Sequence, residues 1–264
     1  MYKIKIINII VFLTFFCSCN NFNNPTEGFK VEGNIENPQD CSHISGVEVY
    51  AYNLDNNEFA KISESKYENN YFSLFLPYEL KNKYCNAINK CGLFDSKSES
   101  HLTISNKNVT ISKISISSIN EEWNNDIQQF GYTESYNNGA VSVTLVKTKY
   151  VYARSAVYIK GEYEAIVATG DVVPTKTVKV DLLLQKGWNI VYNIGCFASN
   201  ISSSLFSVDM AILNVTTIKP ENIELKWYYN SVKFVDILRN NTQFVLQPYM
   251  AGMGYDKDFI LNSY

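Results

Sequence analysis

The chain has 264 residues, with 23 Lys and Arg against 26 Asp and Glu, a formal charge of −3. That balance, with no basic block interleaved with aromatics, argues against nucleic acid as a partner. The 19 Tyr and 15 Phe favour strands, so the composition points to a β core.

Met1–Lys5 is basic, Ile6–Phe16 is apolar apart from Asn8 and Thr14, and Cys17-Ser18-Cys19 ends the run. A charged start, a short apolar middle and a small residue at the cut make a secretory signal over residues 1–18. The run is too short to span a hydrocarbon core of about 30 Å. Its end resembles a bacterial lipoprotein signal, in which a cysteine after a small residue is acylated. Ser18-Cys19 fits better than Phe16-Cys17, so Cys19 is the expected lipidation site, and the lipid ties the chain to a membrane. Lys3 and Lys5 leave with the signal, and the mature balance is 21 cations to 26 anions.

Residues 19–27 are Asn-rich and read as a tether. Alternating runs begin at Phe29 and recur at Val47–Tyr52, Phe59–Ser63 and Tyr71–Leu76, with Phe72, Leu74 and Leu76 on one face. Leu80, Tyr84, Ala87 and Ile88 allow a short helix from about Tyr78. Leu102–Ile104 and Val109–Ile119 return to strand, with a phase shift near Lys113 that a bulge or a change of sheet explains. The polar stretch from Glu121 sets a domain boundary at 120/121. Asn137-Asn138-Gly139 is a hairpin turn. Tyr150–Ile159 reads as one long strand stopped at Lys160-Gly161, with Glu162–Ala168 returning. Val178, Val180, Leu182 and Leu184 alternate cleanly. Lys186-Gly187 then turns the chain into Trp188–Ile194, and Leu205–Ile212 and Ile223–Tyr229 follow. Many short strands between turn signals predict an all-β chain of two antiparallel β-sandwich domains in tandem, 28–120 and 121–264.

The opening strand Phe29–Gly33, the strand Gly46–Tyr50 and the strand Asn70–Leu74 resemble the transthyretin-like or carboxypeptidase-regulatory β-sandwich. Tyr150-Val151-Tyr152, Val157–Gly161, Leu184–Tyr192 and Leu225–Tyr228 resemble the C-terminal part of uncharacterised lipoproteins common in Bacteroidetes. These resemblances imply fold and an envelope location, on the outer membrane. They carry no catalytic residues.

Export suits a disulfide, and Cys85 and Cys91 enclose a short loop. Cys41 and Cys196 are the other mature cysteines, and no C-x-x-C pair exists. His43 and His101 lack metal spacing. The carboxylate pairs Glu121-Glu122 and Glu162/Glu164 match what almost any chain offers a glycosidase reading. Asn53, Asp55, Asn57 and Glu64 fall at calcium-loop spacing, but Glu58 replaces the required glycine. No catalytic residue, metal site or cofactor is expected. Tyr150, Tyr152 and Tyr158 share a strand face, and with Tyr228 they are the candidate ligand-stacking residues; packing is the commoner role of such residues. Trp188, in phase with Ile190, Tyr192 and Ile194, is expected to cover the same core as Val178–Leu184 through a hairpin across Gln185–Gly187. The functional expectation is a lipid-anchored envelope protein that binds or assembles without catalysis, its partner an envelope protein or a glycan. A glycan-binding accessory lipoprotein is the alternative, and a hydrolase is third.

Overall fold

Alternation of apolar and polar residues builds described strands such as Tyr71–Pro77 and Leu102–Ile104. The computed structural model describes residues 28–36, 41–53, 58–88, 93, 101–119, 126–137, 140–166, 175–200 and 208–229. The strands of the first half are β1 (Gly28–Asn34), β2 (Gly46–Asn53), β3 (Glu58–Glu68), β4 (Tyr71–Pro77), β5 (Asn86–Ala87), β6 (Leu102–Ile104) and β7 (Thr110–Ile119). Those of the second are β8 (Ile127–Asn137), β9 (Ala140–Ala153), β10 (Val157–Ile166), β11 (Thr175–Leu184), β12 (Gly187–Asn200), β13 (Val208–Thr216) and β14 (Lys226–Tyr229). Among the described residues there is no α-helix, and none long and apolar enough to cross a membrane. The helix expected from Tyr78 is a single 3-10 turn, Asn82–Tyr84.

The strands join one 14-stranded sheet system in the order β1-β4-β3-β2-β7-β9-β12-β13-β11-β10-β6, with β14 on β8, β8 on β9 and β5 on β7. All pairs are antiparallel except β11 with β13. Turn chemistry sets the local hairpins. Asn69 and Asn70 take φ of 54° and 63°, the left-handed region that asparagine tolerates and that a tight hairpin requires. Asn137 pairs Ala140 on either side of the expected Asn138-Gly139 turn, which itself lies outside the described residues.

Two cores lie on opposite faces of β9 and β12. The first buries Val31, Val49, Phe72, Leu74, Leu76 and Trp227 with Tyr150 and Tyr152. The second buries Ile159, Val178, Val180, Leu182 and Leu184 with Val151 and Ala153. Period two therefore feeds both cores from one strand. The phase shift near Lys113 has the same origin. Ile111–Lys113 pair β9, and Ile114–Ile119 pair β2. Ile111 enters the second core, Ile114 and Ile116 the first.

Hydrogen bonding crosses residue 120. β7 joins β9, β6 joins β10, and Ile35 bridges Trp227. The connection 120–125 lies outside the described residues.

Three local expectations are corrected. Tyr150–Ile159 is not one strand, because β9 ends at Ala153 and β10 starts at Val157. Gly161 is not a turn but an interior residue of β10. A Cβ there would sit 2.3 Å from the His101 carbonyl oxygen, so the crossing of β6 requires glycine. β11 and β12 form no hairpin, because β13 lies between them. Gly187, at φ 101°, turns the chain so that Trp188 faces the first core. There its Nε1 donates to the Pro77 carbonyl at 2.7 Å, and its ring meets Tyr152 edge-on at 5.2 Å. Trp188 is half-buried, so Trp188→Ala is expected to cost about 2–3 kcal/mol, less than a full core tryptophan. Urea unfolding measures this; an unchanged midpoint would remove the structural role.

Candidate functional site

The parting of β7 from β9 leaves an open fork. β7 pairs β9 only at Ile111–Lys113, and β8 pairs β9 only from Lys147 towards Ala140. Thr148–Tyr150 of β9 faces neither strand in that register, and an isolated Ser117–Asp126 bridge closes the far side. The result is a cleft of about 280 Å³. It is lined by Lys113, Asp126, Gln128, Lys147 and Lys149 together with Tyr150 and Trp227.

Gln128 is the distinctive group here. Its amide nitrogen donates to Asp126 Oδ2 at 3.4 Å, but its oxygen is buried with no hydrogen-bond partner. A buried acceptor left unsatisfied is uncommon and costly. Thr148, also buried, donates its hydroxyl to the Gln129 carbonyl at 3.5 Å. Lys147 lies opposite Phe130, its ammonium 5.6 Å from the ring centre. Burial pushes its pKa down to about 8; Asp126 opposes the shift and Lys113 adds to it. The rim thus offers amide, carboxylate and ammonium groups in a setting drier than bulk water. Such a set orients a hydroxyl-bearing ligand by hydrogen bonds.

The four tyrosines do not form a platform. Tyr150, Tyr152 and Tyr228 are 7%, 3% and 5% exposed, and Tyr158 is 36% exposed on a different strand. Tyr150 already stacks on Trp227, at 6.1 Å and 7° between planes. Burial, chiefly, holds the Tyr150 hydroxyl above its usual range and pushes that of Tyr228 to about 12. Of the four, only Tyr150 lines the cleft. The other candidate residues lie apart. His43 Nε2 is 3.0 Å from the Tyr229 hydroxyl, an edge-on packing contact. Glu162 pairs with Lys179 at 3.7 Å, and Glu64 with Lys61 at 2.5 Å. Asp55, Asn57, Glu121 and Glu122 lie outside the described residues, as do Cys19 and Cys91. Cys85 is half-buried, its Sγ 3.7 Å from the Lys81 carbonyl, and burial raises its thiol pKa against a pull from Arg154. Among the described residues, no three His, Cys, Asp or Glu are grouped to hold a metal.

Sequence reading missed Gln128, Lys147 and Trp227 as neighbours. They sit on β8, β9 and β14, and only the β9–β8–β14 pairing brings them to one place. A second cleft, of about 470 Å³, opens where β1, β4 and β12 meet and is lined by Phe29, Tyr78, Tyr152 and Trp188.

Compared with known protein families, with curated proteins and with solved structures, the chain has no match.

Proposed function

We propose that the chain is a lipid-anchored cell-envelope protein, held at the outer membrane through Cys19, that binds a partner without catalysis in the fork cleft. The observation that carries the reading is the lining of the fork cleft, where Gln128, Asp126, Lys147 and Lys149 come together between strands that part. The signal-like N-terminus and the resemblance to Bacteroidetes lipoproteins support the location. The tandem of two β-sandwich domains, 28–120 and 121–264, belongs to the same proposal.

A glycan is the second reading, favoured by the chemistry of the rim. Its amide, hydroxyl, carboxylate and ammonium groups match the alternating donors and acceptors of a sugar, and the cleft volume suits a small glycan unit. The chain from residue 20 to 264 is expected to bind members of a glycan array, and Gln128→Ala to weaken that binding by about tenfold, since each 1.4 kcal/mol of lost hydrogen bonding is a factor of ten. An array on which Gln128→Ala binds like the parent removes the cleft as the site, and a blank array removes the glycan reading. Anchoring is read separately: an alkyne fatty acid should label the parent, and labelling that survives Cys19→Ala defeats the assignment.

A further inference from the structure

The register places five exposed apolar side chains at one end of the fold. β1 begins at this end, since Gly28 pairs with Pro77 at the close of β4. Trp188, opening β12, donates to that same Pro77 carbonyl. Gly187 pairs Ala153, and Val157 pairs Leu184, so the close of β9, the opening of β10 and the close of β11 lie there too. The opening of β3 joins them through the pairing of Phe59 with Tyr52, because Asn86, whose side chain reaches the Tyr52 carbonyl, pairs Ile111 opposite Ala153.

Six large hydrophobic residues are exposed among the described residues, and five of them belong to this end. They are Phe59 at 63%, Tyr78 at 80%, Tyr158 at 36%, Leu183 at 53% and Ile218 at 73%; Tyr71, at 39%, belongs to the opposite end. Tyr158 stands directly across from Leu183, and the Leu183 amide donates to Thr217 Oγ1, which sets Ile218 beside them. Tyr78 forms a second apolar group with Phe29 and Trp188 along the seam cleft. Among the described residues, the exposed cations at this end are Lys81, Lys83, Lys107, Arg154, Lys186 and Lys219, against Glu58, Glu79 and Glu221. The chain is acidic as a whole, so this local excess of cations runs against its average.

We propose that this end is a face that rests on an anionic lipid surface. Its aromatic and aliphatic tips enter the headgroup boundary while the long cationic side chains reach the phosphates, the division of labour seen in interfacial proteins. The face carries the first described residue, Gly28. On the reading that Cys19 bears the lipid, on which the orientation rests, the nine steps from Cys19 to Gly28 span at most about 30 Å. The end where β1 starts is thereby kept near the bilayer, and the fork cleft, further along β9 from Ala153, stays open to solvent.

The test uses residues 20–264, which retain every described strand and carry no lipid. The chain is expected to float with vesicles of equal parts phosphatidylcholine and phosphatidylglycerol. The combined variant Tyr78→Ser, Leu183→Ser, Ile218→Ser should lower its partition at least about tenfold, with an unchanged melting curve, because all three side chains are already mostly in water. Tyr71→Ser, at the other end, should partition like the parent. A parent that stays with the buffer, or a triple variant that floats as well as the parent, overturns the proposal. So does a parent that sediments as a dimer and ignores vesicles while the triple variant is a monomer, which assigns the face to a second copy. Because this protein carries no acyl chain, a failed fatty-acid label at Cys19 and a failed flotation are separate results.

Discussion

Replacing Trp227 with alanine is expected to destabilise the protein by about 3–5 kcal/mol, the range for deleting a fully packed core tryptophan. Trp227 is 4% exposed, stacks on Tyr150 and meets Phe72 edge-on at 5.1 Å. Its Nε1 donates to the Glu32 carbonyl at 3.0 Å, and its own carbonyl accepts from the Glu36 amide at 2.8 Å. A Cβ at Gly33 would lie 2.3 Å from the indole, so the residue below the ring must be glycine. Trp227→Phe separates the contributions. It keeps most of the volume and strands the Glu32 carbonyl, so it should cost about 1–2 kcal/mol. Urea unfolding of both variants measures the pair. A Trp227→Ala protein within about 1 kcal/mol of the parent would contradict the packing described, because that is the size of an ordinary surface change.

Lys147→Met should do the opposite and stabilise the protein at pH 7. The folded pKa of about 8 lies below the ordinary 10.5, so the folded state holds this proton less tightly than the unfolded chain. The penalty is complete below about pH 8 and fades as pH rises towards 10.5. A shift of this size is worth on the order of 3 kcal/mol, and the lost contact with the Phe130 ring returns about 1 kcal/mol of it. A net gain of about 2 kcal/mol at pH 7 is therefore expected. The difference between variant and parent should shrink by pH 9.5 or so, before the raised tyrosines begin to matter near their ordinary value of 10. Urea midpoints at the two pH values read this directly. A variant less stable than the parent at neutral pH would show that the Asp126 and ring contacts outweigh the burial.

Much of the local structure is legible in the chain, because alternation is a local signal. Phe72, Leu74 and Leu76 share a buried face, Asn69-Asn70 sits at a hairpin, and the broken phase at Lys113 marks a change of sheet. The order of strands is not local. The insertion of β13 between β11 and β12 leaves no trace in Lys186-Gly187, which looks the same whether it closes a hairpin or bends the chain to another face. Gly161 misleads for a similar reason: glycine marks a turn and a close crossing alike. Tyr150 and Tyr152 of β9 read as candidate stacking residues because one strand face reads the same whether water or Trp227 lies against it. For the fork cleft the sequence offers almost nothing, since an empty space between strands that part company has no residue pattern of its own.

The bond between Trp227 and Glu32 joins positions 195 apart in the chain. This separation has a temporal consequence. A chain that emerges from its N-terminus can zip β1 to β4 early, since that pairing is shorter-range in sequence, but the first core stays without its indole until the last described strand, β14, has arrived. Contacts of such high order close late and slowly. Until then the aromatic interior of the first core is left uncovered. A pulse-labelling experiment should find the amide of Glu36, which bonds to Trp227, protected later than that of Ile35, which bonds to Asn70 beside the β1–β4 pairing.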